Sequence, residues 1–60
     1  MYVIQRIPDG AYVARPGSGP SYTRFLERAQ IFSTREQAEV ARCPGNEHVA
    51  DLGDVIRVTP

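Results

Sequence analysis

The sequence predicts an α+β fold: a small antiparallel β-sheet of four to five strands, in the order βββαββ, with one α-helix packed on one face. Three observations carry this. The stretch Ile31-Phe32-Ser33-Thr34-Arg35-Glu36-Gln37-Ala38-Glu39 reads as a strand running straight into a capped helix. The stretch Tyr2–Ala14 reads as two β-forming runs joined by Pro8-Asp9-Gly10. Finally, 60 residues with a single Cys make one domain without an internal disulfide. A chain of this size buries only about 60% of the surface it exposes when unfolded. Its thin core therefore depends on laying a helix across a sheet, and self-association is a further route to stability.

The first strand spans residues 1–7. Tyr2, Val3, Ile4 and Ile7 are β-formers, and neither face is purely polar, which predicts a central strand. Pro8-Asp9-Gly10 is a turn with a mechanism: Pro fixes φ, Asp bonds its own backbone and Gly accepts positive φ. Ala11–Ala14 returns as the second strand. Residues 15–21 hold two Pro and two Gly, a composition that excludes helix and central strand. From Tyr22 the chain is expected to run extended, turn near Leu26–Arg28 and form a third strand over Ala29–Phe32.

The helix is expected from about Thr34 to Arg42. A Ser33 or Thr34 hydroxyl can accept from the first-turn amides, and Glu36 or Gln37 stands three residues on to complete a capping box. Thr34, Ala38 and Ala41 share the face expected to meet the sheet, with Val40 at its flank. Cys43-Pro44-Gly45 ends the helix. Glu47–Leu52 is expected as the fourth strand, Gly53-Asp54 as a turn and Val55–Val58 as the last strand.

Seven Arg balance seven acids, and there is no Lys. Zero net charge counts against a general nucleic-acid binder, which normally carries a basic excess. The balance is uneven along the chain. Residues 1–30 carry Arg6, Arg15, Arg24 and Arg28 against Asp9 and Glu27, a net of +2. Residues 31–60 carry Arg35, Arg42 and Arg57 against Glu36, Glu39, Glu47, Asp51 and Asp54, a net of −2. The N-terminal residues show no signal-peptide pattern, no apolar run approaches a membrane span of about 20 residues, and one unpaired Cys suits a reducing compartment. The expected location is cytoplasmic, with no membrane partner.

Catalysis finds little to stand on. His48 could be drawn into a triad with Ser18 or Ser33 and Asp51, but the strained nucleophile turn of such sites is missing. Cys43 reads as a small buried hydrophobe, since the negative end of a helix dipole disfavours a thiolate. One Cys and one His do not make a metal set, and Gly17-Ser18-Gly19 lacks the Lys and the helix of a phosphate loop. The expectation is a non-enzyme without cofactor or metal. Arg15, Arg24, Arg28 and Arg35 with Tyr12 and Tyr22 have the composition of binding hot spots, and equally suit backbone contacts and base stacking on nucleic acid. Glu36, Glu39, Glu47, Asp51 and Asp54 read as an acidic surface able to compete for a basic groove. Both sets point to a partner and not to a substrate.

Tyr12-Val13-Ala14, Gly17-Ser18, Ser21-Tyr22-Thr23, the run Ala29–Glu39 and Gly45-Asn46-Glu47 together resemble short proteins encoded by phages and mobile elements. That resemblance implies an inhibitor of host defence, anti-CRISPR proteins among them, occupying a surface of a large host complex. It carries no diagnostic site motif and assigns no residue. The expected partner is a host protein or protein–nucleic-acid complex. Direct nucleic-acid binding is the second reading, and a homo-oligomer the structural one.

Overall fold

The computed structural model describes residues 1–56. β1 (Tyr2–Arg6), β2 (Tyr12–Val13), β3 (Tyr22–Thr23) and β4 (Glu47–Asp51) form one antiparallel sheet in the order β3-β2-β1-β4. β1 is central, as its two mixed faces predict. The Pro8-Asp9-Gly10 turn closes as expected: Gly10 takes φ +73° and donates to the Arg6 carbonyl at 2.7 Å. Asp9 Oδ1 accepts from the Ala11 amide at 3.2 Å. A side chain at Gly10 would be strained by that φ alone.

β1 pairs with β4 along its whole length, from Tyr2↔Asp51 to Arg6↔Glu47. Alternation then puts Tyr2, Ile4 and Arg6 on one face with Glu47, Val49 and Asp51. Helix α1 (Arg35–Ala41) packs over this face, against β1 and β4. Ile4, Phe32 and Ala38 form the core there, with Tyr2, Val13 and Val49 against it. Ala38 is fully buried, which lets α1 lie close to the strands. Ala41 and Val40 are exposed, so the helix meets the sheet through a narrower stripe than its apolar pattern implies.

Thr34 caps α1, its hydroxyl accepting from the Gln37 amide at 3.1 Å. The Ser33 hydroxyl donates to Gln37 Oε1 at 2.9 Å and cannot replace that cap. Thr34→Ala is expected to lower stability by about 1 kcal/mol, read as a lower urea midpoint at an unchanged slope.

Two sequence expectations change. Ala29–Phe32 is not a continuous strand. It is wedged where β1 and β2 diverge, through the isolated bridges Ala14↔Ala29 and Tyr2↔Phe32. Tyr2 and Phe32 exchange two 2.8 Å hydrogen bonds, and Gln30 donates to Val13 at 2.9 Å. The third strand is instead Tyr22–Thr23, followed by a 3-10 turn at Leu26–Arg28. The end of the chain also differs. β4 stops at Asp51, whose side chain accepts from the Gly53 amide at 2.8 Å and caps the short helix α2 (Leu52–Val55). Val55 is therefore helical, and Ile56 follows it as the C-cap. The remainder of the expected last strand, Arg57 and Val58, lies outside the described residues.

Candidate functional site

The binding-type side chains singled out by composition do not form one surface. Tyr12 pairs with Thr23 and Tyr22 with Val13, so the two Tyr rings stand on opposite faces of the sheet. Both are half-buried. Arg35 belongs to α1, where its guanidinium lies 5.1 Å from the Tyr2 ring centroid and 3.9 Å from Glu39.

Glu47 is the largest correction. The sequence places it on an acidic rim, but it is only 4% exposed. Pairing with Arg6 turns it under the helix side of the sheet. There its Oε1 accepts from the Cys43 amide at 2.8 Å, and its Oε2 accepts from the Tyr22 hydroxyl. Its carbonyl accepts from Arg42 at 3.0 Å. This carboxylate ties β3 and the end of α1 to β4 and is not available to a partner. Cys43, expected inside, is exposed at that helix end. His48 is exposed on β4.

Arg6 completes the same cluster. Its guanidinium sits 4.1 Å from the Tyr22 ring centroid and grips Asp9 through two hydrogen bonds of 3.1 and 2.7 Å. The Tyr22 phenol is shifted upward, chiefly because its proton is donated to Glu47. Asp9 is held well below the usual carboxylate range, first by the Arg6 hydrogen bond and then by the Ala11 amide. A depressed carboxylate contributes stability that is complete above its unfolded pKa of about 3.9 and is lost as pH falls through the folded value. Asp9→Asn is therefore expected to be less stable than the parent at neutral pH. The difference should shrink as pH falls below about 4, measured by urea unfolding along a pH series.

The exposed charges separate across the sheet. Residues 35–55 supply α1, β4 and α2 and, with Glu47 buried, present Arg35 and Arg42 against Glu36, Glu39, Asp51 and Asp54, a net of −2. They lie at the β4 edge, where α2 contacts β4 and α1 covers β1 and β4. Within that set Glu39 is engaged by Arg35 and by Arg42, the latter at 2.6 Å, and Asp51 by its α2 cap. Glu36 and Asp54 are exposed.

The side of β1 away from β4 is basic. Arg24 follows β3, and Arg15 and Arg28 face each other past the end of β2, against Glu27 alone. Arg24 reaches Asp9 at 3.6 Å. Arg15 and Arg28 form no ion pair among the described residues. The Ala14↔Ala29 bridge sets them opposite each other, and the Arg15 amide donates to the Arg28 carbonyl at 3.2 Å. Beside Arg28 is Phe25, 55% exposed, with the Arg28 guanidinium 5.1 Å from its ring centroid. Phe25 is a member that composition alone does not single out. Its amide donates to Thr23 Oγ1 at 3.1 Å, which fixes the start of the turn. The Phe25-x-x-Arg28 spacing at a turn is the sequence signal for it.

Among the described residues there is no cavity, no group of three or more side chains suited to a metal ion, and no helix long and apolar enough to cross a membrane. No family model, curated protein or solved structure matches this chain.

Proposed function

We propose that this chain is a small protein-binding inhibitor of the phage-encoded kind, acting in the host cytoplasm by sterically occluding a host complex such as a CRISPR effector. The observation that carries the reading is the division of exposed charge between the two sides of the central strand β1. A scaffold that presents opposite charges on opposite sides complements a protein surface in one orientation, and electrostatic complementarity sets specificity and encounter rate. The resemblance to short phage and mobile-element proteins supports the inhibitory role and the phage origin.

A second reading is a small nucleic-acid-binding module using Arg15, Arg24 and Arg28. The Arg28–Phe25 stack favours it, because an exposed ring with a guanidinium suits an unpaired base. Zero net charge and a β4 edge of net −2 weigh against it. A low-salt mobility shift separates the two, since attraction to phosphate is strongest there. The protein-directed reading expects no shift of short single-stranded DNA or RNA. A shift of either, abolished by moderate salt, would replace it with the second reading.

A further inference from the structure

Resting on the protein-directed reading, we propose that the binding face is the end of the sheet where β1 and β2 diverge, where Arg15, Arg28 and Phe25 dock a carboxylate-bearing protein segment. Arg15 and Arg28 stand opposite each other across the Ala14↔Ala29 bridge. Like charges placed opposite across a pairing destabilise it. The other arginines of the described chain each have a carboxylate: Arg6 and Arg24 share Asp9, and Arg35 and Arg42 share Glu39. Two arginines at facing backbone positions, neither with a carboxylate partner among the described residues, are therefore a local cost, and an incoming carboxylate relieves it.

The geometry also favours such a ligand. A guanidinium presents a planar fork of donors that matches a carboxylate bidentately. Phe25, more than half exposed, supplies apolar area beside Arg28. An aromatic ring flanked by Arg is the composition of an interface anchor. The ring is positioned in advance, since the Thr23 hydroxyl fixes the turn that carries it. Arg24, next to Phe25 in the chain, has only a 3.6 Å contact to Asp9 and is largely exposed. Nucleic acid fits less well. Three cations neutralise about three phosphates, which leaves a weak and strongly salt-dependent attraction.

The test uses the full chain and a defined probe, a fluorescein-labelled random copolymer of Glu and Tyr, with labelled oligo-dT as comparison. Anisotropy at low and moderate salt gives affinity, and amide shift mapping gives the face. The expected result is saturable copolymer binding that outlasts oligo-dT binding as salt rises, with shifts centred on residues 15 and 22–29. R15A/R28A should weaken it at least tenfold, R15K/R28K should restore part of it, and V40A, at an exposed uncharged position of α1, should leave it unchanged. Far-UV circular dichroism checks that each variant is folded. Absence of copolymer binding, tighter oligo-dT binding, or shifts confined to α1 and β4 would each overturn the proposal. Capture from host lysate keeps the two failures apart. If the wild type retains a nuclease-resistant partner and R15E/R28E retains it equally, the face is wrong and the protein-directed reading stands. If the wild type retains none, that reading itself fails.

Discussion

Ile4→Ala is expected to remove about 3–4 kcal/mol of stability. Ile4 is 1% exposed, lies in the central strand and packs with Phe32 and Ala38 between sheet and helix. No second layer of large side chains stands behind it on that face, because the helix contributes Ala38 as its buried residue. The gap left by truncation therefore has little to collapse into it. At about 0.05–0.15 kcal/mol per residue, a 60-residue chain has roughly 3–9 kcal/mol in all. The loss should bring the variant to the edge of unfolding, seen as a broadened thermal transition near room temperature by circular dichroism. Ile4→Val keeps most of the volume and is expected to cost about 1 kcal/mol. A parent-like melt for Ile4→Ala would mean that the core lies elsewhere.

Glu47→Ala carries the next largest effect, about 3 kcal/mol, from two hydrogen bonds to a charged acceptor and a buried donor left unsatisfied. Removing the carboxylate orphans the Cys43 amide and the Tyr22 hydroxyl together. It also releases β3 from β4 across a sheet in which β3 has only two paired residues. Glu47→Gln retains one acceptor and should lose less, and Tyr22→Phe should lose less again. Urea unfolding of the three variants gives the order. An exposed, partner-facing Glu47 would instead leave the Glu47→Ala midpoint where the parent has it.

These two residues also show what the sequence could and could not convey. Ile4 is legible, because a β-branched residue in a run with no purely polar face marks a central strand. The Thr34 cap, the Pro8-Asp9-Gly10 turn and the turn at Leu26–Arg28 are legible for the same reason: each is a local interaction between near neighbours. Glu47 is not legible. Its burial depends on Tyr22, 25 residues away, and on the β1–β4 register that brings Arg6 opposite it. No local pattern contains that register. The wedge at Ala29–Phe32 fails for a related reason, since its β-forming residues satisfy two diverging strands at single bridges. Val55 and Ile56 have strand propensity, but the Asp51 side chain caps a helical turn first.

The candidate surface divides the same way. Composition identifies Arg15, Arg24 and Arg28, and the sheet order puts them on the side of β1 away from β4. It adds Tyr12, Tyr22 and Arg35, which the fold sends to the two sheet faces and to the helix. Phe25 becomes prominent only when the Thr23 hydroxyl is seen to hold the turn that exposes it.

The most direct test of the protein-directed reading is capture by the tagged chain from a bacterial host lysate, with and without nuclease, read by mass spectrometry. The account predicts a stoichiometric host protein that survives nuclease and moderate salt. A complex lost with nuclease, or recovery of the chain alone, would contradict it.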